Sequence, residues 1–230
     1  MIDQHRDGMN AIVVNLARRS QLLVEQQLRL LEEMEREERD PDRLAALFRL
    51  DHLAARLRRN DENLLVLAGG QVRRRPGEGL PLDGMVLAAL SEIEQYQRVR
   101  AEVEDVAEVS GHATGDLIHL LAELFDNATG FSPPDSPVRV ISVMDDESVT
   151  LEITDEGIGL SPGALAELNV LLAAPPDLTV AASERMGLVV VSHLAARHRV
   201  RVQLRSSHAG TCAKVRIPGD LLILEGAARQ

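Results

Sequence analysis

The stretch HLLAELFDNA, from His119 to Ala128, decides how this chain folds. It places His119, Glu123 and Asn127 four residues apart, so a helix would carry all three side chains on one face. Downstream, Asp155-Glu156-Gly157-Ile158-Gly159-Leu160 ends a strand-like run with an acid and two glycines. Glycine lets backbone approach a ligand closely. An acid-and-amide helix face beside such a turn suits a nucleotide and its metal.

Around these two runs the pattern alternates between strands and helices. The spacing predicts helices over 86–96, 116–128, 162–173 and 187–198, and strands over 97–103, 138–144, 149–153, 200–204 and 213–217. Asp145-Asp146-Glu147-Ser148 and Ser207 to Gly210 read as hairpin turns. Polar residues alternate along the strands, so one sheet face is expected to meet water and the helices to cover the other.

The first 70 residues differ. They have few glycines and no alternation, and Leu16, Leu23, Leu30 and Met34 recur at heptad-like spacing. A second run holds Leu47, Leu50, Leu53, Leu57, Leu64 and Leu67. Between them Asp40 suits a helix N-cap and Pro41 a first helical turn. Two such helices do not bury both stripes alone, so a homodimeric four-helix bundle is expected. The boundaries predicted are a helical hairpin over 1–70, a Gly- and Arg-rich linker over 71–81, an α/β domain over 82–220 and a tail over 221–230.

Composition narrows the function. The chain is 230 residues long with a net charge of −11, which argues against general nucleic-acid binding. Arg73-Arg74-Arg75 is a local exception and reads as a solvated linker. A single cysteine, Cys212, excludes an intrachain disulfide framework and a cysteine-rich zinc site, and its alternating run suggests a buried side chain. No apolar run reaches the ~20 residues of a membrane span. The N-terminus shows no signal-peptide pattern, and a cytoplasmic location is expected, either free or as part of a membrane-anchored sensor. His193 and His198 are expected on a helix surface.

Taken together, HLLAELFDNA resembles the N box of the GHKL (Bergerat-fold) group, which holds gyrase, Hsp90, histidine kinases and MutL. Asp155 to Gly159 resembles the G1 box, Met186-Gly187-Leu188 a reduced G2 box and Gly210-Thr211 the late glycine-threonine element. The resemblance implies an α+β fold: a dimerising helical hairpin followed by an α/β-sandwich ATPase domain. It implies ATP and Mg²⁺ as ligands, with Asn127 on the metal and Asp155 on the adenine amino group. Gly157 and Gly159 would admit the base, Gly187 would lie near the phosphates and Thr211 near the adenine. Glu123 would orient or deprotonate the attacking group. Many kinases of the group carry Lys or Arg three residues after the N-box Asn. Here that residue is Gly130, and Arg185 is a candidate substitute for its charge.

The runs from Val14 to Gln21, Leu47 to Gly70 and His119 to Pro134 further resemble actinobacterial sensor-kinase-like proteins. That resemblance implies a signalling role, with a response regulator or Roadblock-type and small-GTPase proteins as partners. His52, preceded by Asp51, is the candidate phosphoacceptor. The acid lies before the histidine and no Pro follows, unlike the common kinase order. Two functions therefore stand: an ATP-dependent protein-histidine kinase core, and a degenerate nucleotide-binding scaffold that presents its helical bundle to partners. A serine kinase of the anti-sigma type fits less well with the long hairpin.

Overall fold

A computed structural model describes residues 2–68, 79–104, 107–145, 147–175 and 185–224; at 2–10, 12, 52 and 224 it describes the backbone only. The chain forms two compact units, Met1–Val72 and Arg73–Gln230.

The first unit is a helical hairpin, α1 (Ile2–Glu37) and α2 (Pro41–Leu67). Asp40 caps α2 as its sequence predicts. Its carboxylate accepts from the backbone N–H of Asp42 (2.9 Å) and Arg43 (3.2 Å), and Pro41 opens the helix. Ala17, Val24, Leu47 and Ala54 are buried. Leu16, Leu23, Leu30, Met34, Leu50, Leu53 and Leu57 are exposed in the single chain. Most of the heptad-like leucines thus remain uncovered. No helix among the described residues is long and apolar enough to cross a membrane.

The second unit is a two-layer α/β fold. Its elements in order are β1 (Leu80–Pro81), α3 (Leu82–Leu90), β2 (Val99–Glu102), β3 (Ala107–Val109), α4 (Gly111–Gly130), β4 (Val138–Asp145), β5 (Ser148–Thr154), α5 (Pro162–Ala173), α6 (Met186–Arg197), β6 (Arg201–Ser207), β7 (Gly210–Pro218) and β8 (Leu222–Leu224). A five-stranded sheet runs β2-β4-β5-β7-β6, antiparallel except for the parallel β2–β4 pair. Val149, Leu151 and Ile153 of the central strand β5 point into the core, with Val138, Val140, Val215 and Ile217 on its neighbours. Leu117, Leu120, Leu121 and Phe125 of α4 and Val190, Val191 and Leu194 of α6 complete that core. Each such side chain removed from water contributes about 1.5–3 kcal/mol. Among the described residues of this unit no helix covers the opposite sheet face, as the strand alternation implies.

Several boundaries differ from expectation. α3 stops at Leu90, not 96, because the Ser91 hydroxyl turns back to the Ala88 carbonyl (2.7 Å) and the chain enters turns up to Arg98. The stretch past 220 is not all tail. Leu222–Leu224 pairs with β3, and β1 pairs with the other side of β3, giving a second sheet of three short strands. The expected 71–81 linker therefore ends in a paired strand, while 69–78 lie outside the described residues. Strands of two or three residues are too short to show alternation. Cys212 is half-buried, because its β7 position faces the open side of the sheet.

Candidate functional site

Glu123 and Asn127 sit in the C-terminal half of α4. Three devices end this helix. The Phe131 N–H bonds the Asn127 carbonyl (3.0 Å), the Ser132 hydroxyl bonds that of Ala128 (2.7 Å), and the Arg98 guanidinium bonds that of Thr129 (2.7 Å). Arg98 also donates to the carbonyls of Pro133 (2.5 Å) and Ser136 (3.0 Å). A cation at this end opposes the negative pole of the helix. Arg98 thus fixes both the end of α4 and the loop that follows.

The Asn127 side chain turns its amide nitrogen onto the Glu123 carbonyl (2.8 Å). That bond leaves the amide oxygen as the outward donor atom, the type a hard cation takes. Glu123 is 7% exposed, and its carboxylate lies 3.9 Å from Nε2 of the buried His119. Gly187, on the first turn of α6, closes against both: a Cβ there would collide with the Glu123 carboxylate and approach Nδ2 of Asn127 to 3.8 Å.

Asp155 follows β5 and is 7% exposed. Its Oδ1 accepts from the N–H groups of Gly157 (2.7 Å) and Thr211 (3.2 Å), and its own N–H bonds the Thr211 carbonyl (2.9 Å). The Thr211 hydroxyl lies 3.2 Å from that of Ser206, which accepts from the Leu160 N–H (2.7 Å). Gly159 has φ +73°, and a side chain there would strike the Ser207 carbonyl.

The two clusters meet at one contact. A Cβ on Gly157 would lie 2.5 Å from the carbonyl oxygen of Phe131, the residue that caps α4 over Asn127. The fold therefore gathers Glu123, Asn127 and Gly187 on one side of this junction and Asp155, Gly157, Gly159 and Thr211 on the other. The side chain of His52 lies outside the described residues; its backbone is part of α2. Arg185 precedes α6 and pairs with Glu167 of α5 at 3.4 Å.

Far from this junction, α4 and α6 are tied a second time. Asp116 accepts from Nε2 of His198 (2.7 Å) and from the Arg197 guanidinium (2.9 Å). His198 is thus mostly buried, not a surface residue as its sequence position suggests, because it just follows α6 where that helix passes α4. Burial pushes the Asp116 carboxyl up, but bonds from His198 and Arg197 outweigh it and hold the group below its ordinary 3.8. A depressed carboxyl stabilises the fold above its unfolded pKa and loses that contribution as pH falls through the folded one. Stability is therefore expected to drop below about pH 4, and Asp116→Asn to cost about 2 kcal/mol at neutral pH. Urea melts at pH 7 and pH 3 measure this; the gap between wild type and variant should narrow at the lower pH.

Comparison with known proteins gives this geometry a family. Residues 113–221 match the family described as histidine kinase-, DNA gyrase B-, and HSP90-like ATPase. The second unit belongs to this GHKL family. The chain is 23% identical over 179 residues to the phosphate regulon sensor protein PhoR of Pseudomonas aeruginosa, covering 74% of this chain and 40% of that protein. It is 28% identical over 147 residues to the sensor protein CreC of Escherichia coli, covering 58% of this chain and 31% of that protein. The chain thus spans less than half the length of the curated relatives it matches. Among solved structures, full-length ShkA with AMPPNP superposes with a TM-score of 0.58 at 15% identity, covering 91% of this chain and 45% of that one. The Acinetobacter baumannii histidine kinase AdeS gives 0.52 at 16% identity, covering 88% and 96%. These likenesses show a shared fold: helices followed by a GHKL domain.

Proposed function

We propose that this chain is the nucleotide-binding and phosphoacceptor core of a sensor histidine kinase, with the boundaries 1–70, 71–81 and 82–220 as its hairpin, linker and GHKL domain. What supports the reading is the contact of Gly157 with the Phe131 carbonyl, which ties the turn after Asp155 to the end of the helix that carries Asn127. The donor set fits a magnesium nucleotide. Asn127 would offer its amide oxygen to Mg²⁺, and Asp155, with Oδ1 engaged by backbone, would accept from the adenine amino group through Oδ2. Magnesium would screen charge on the phosphates. Gly187 and the backbone N–H groups opening α6 would lie near those phosphates, and Thr211 near the base.

The reaction we propose is transfer of the γ-phosphoryl group of ATP to His52. A ring nitrogen forms the N–P bond, the P–O bond to the β-phosphate breaks and ADP leaves. Glu123 is the base that takes the ring proton. The exposed stripe of Leu23, Leu30, Leu53 and Leu57 supports a dimer of hairpins. A response regulator then receives the phosphoryl group.

One observation favours the scaffold alternative. At Gly130, where a cationic side chain would face phosphate, a Cβ would meet nothing within 4 Å, and Arg185 is held by Glu167. Incubation with γ-labelled ATP separates the two. The kinase reading expects acid-labile, base-stable label on the wild type and none on His52→Ala. Absence of label on a wild type that still shows a Mg-ATP thermal shift would leave the scaffold. Label that persists in His52→Ala would move the acceptor elsewhere.

A further inference from the structure

The face of the five-stranded sheet that no described helix of its own unit covers carries a charge pattern opposite to that of the chain. Strand register arranges its outward side chains in ranks. One rank reads Arg100, Arg139, Thr154, Cys212, Arg205 across the sheet. Two ranks away Arg201 on β6 lies opposite Arg216 on β7. With Lys214 the face has six cations against three carboxylates, Glu102, Asp145 and Glu152, on a chain whose net charge is −11.

Two of these neighbours are costly. Arg100 beside Arg139, and Arg201 beside Arg216, set like charges on facing positions, which destabilises a sheet; of the four only Arg216 has a counter-charge among the described residues, Asp145 at 3.2 Å. Among the described residues Arg100, Arg139, Arg201 and Arg205 have no ion-pair or hydrogen-bond partner for their side chains. A solvated face has no need of that arrangement, since alternating signs would be more stable. At the Arg201 end lies an open depression of about 480 Å³, walled by Arg199, Arg201 and Arg216 and also by Glu147 and Asp220, the latter paired with Arg199. The rank between the cationic ones reads Glu102, Ile141, Glu152, Lys214, Gln203, with Lys214 paired to Glu152, and Val143 lies on the rank of Arg216 and Arg201; Ile141 and Val143 are 39% and 49% exposed.

We propose that this face docks an acidic protein segment bearing both carboxylates and aliphatic side chains. Each repelling arginine pair would share a carboxylate, and Ile141 and Val143 would take the apolar contacts. A uniform polyanion fits less well. Glu102, Glu152 and Asp145 interrupt the positive field, the rest of the chain repels a continuous negative surface, and neither phosphate backbone nor lipid headgroups use the two aliphatic side chains. Arginine is enriched at protein interfaces relative to the rest of the surface.

The test uses the full chain and a fluorescent helical peptide of Glu and Leu, with duplex DNA and phosphatidylglycerol vesicles as separate arms. The peptide is expected to bind at low salt, to weaken as salt rises, and to lose about tenfold or more in affinity in Arg139→Glu/Arg201→Glu. That variant turns two repulsions into attractions, so its thermal midpoint should equal or exceed that of the wild type, and its Mg-ATP response should be unchanged. Peptide binding that is absent, or untouched by the charge reversal, overturns the proposal. Equal, variant-sensitive binding of DNA or vesicles overturns it too, in favour of a general polyanion surface.

Discussion

If the chain binds nucleotide as proposed, millimolar Mg-ATP is expected to raise the thermal midpoint of the wild type and Asp155→Asn to abolish that rise. The substitution keeps shape and keeps an oxygen for the N–H groups of Gly157 and Thr211, so the fold around the G1 turn should persist. It replaces the second oxygen with a donor, which would face the donor amino group of adenine. An acceptor becomes a mismatch in a buried position, at a cost of about 1–3 kcal/mol for the unsatisfied group, with the lost charge adding to it. A wild type saturated at about 100 times its Kd gains roughly 2.7 kcal/mol. In a chain of this size that is a shift of roughly 5–10 °C. The variant should shift within error while its nucleotide-free midpoint moves by only about 2 °C. Asn127→Ala makes the complementary case. It would remove the amide oxygen proposed for the metal and leave the proposed base site, so the magnesium dependence should vanish while a weak adenosine response remains. A full shift in Asp155→Asn would remove this residue from base recognition.

Why the candidate residues were readable as local patterns and parts of their frame were not follows from distance along the chain. His119, Glu123 and Asn127 lie within nine consecutive residues, and a helical period alone puts them on one face. Asp155, Gly157 and Gly159 form a local turn, and the left-handed φ of Gly159 is what its residue type allows. The hairpin was legible for the same reason, since Asp40, Pro41 and the leucine repeats act within a turn or two. Arg98 was missed because it caps a helix whose last turn is 31 residues further on, and nothing near Arg98 marks that role. His198 read as a surface residue because its partner Asp116 is 82 residues away on another helix. The three-stranded sheet escaped because its strands are shorter than one period of any pattern. The open-face ranks need the register: Arg100 and Arg139, or Arg201 and Arg216, become neighbours only after the strands pair.

Glu123→Gln is the variant in which binding and chemistry should part. The carboxylate is buried among His119, Asn127 and the first turn of α6, where Gly187 leaves room for it and for nothing larger. The amide has the same shape, so packing against Gly187 and the Asn127 side-chain bond to the Glu123 backbone both survive. What is lost is an acceptor for a proton. Removing a positioned general base lowers a rate by about 10²–10⁴, which corresponds to roughly 3–5 kcal/mol of barrier. The Mg-ATP thermal shift should therefore match that of the wild type while the rate of label transfer, or of ATP hydrolysis, falls by that factor. The two readouts decide between three roles. Loss of both would place Glu123 with Asn127 in holding the nucleotide. Retention of both would make it a packing residue whose charge is incidental. Loss of rate alone is what a base beside the phosphates requires.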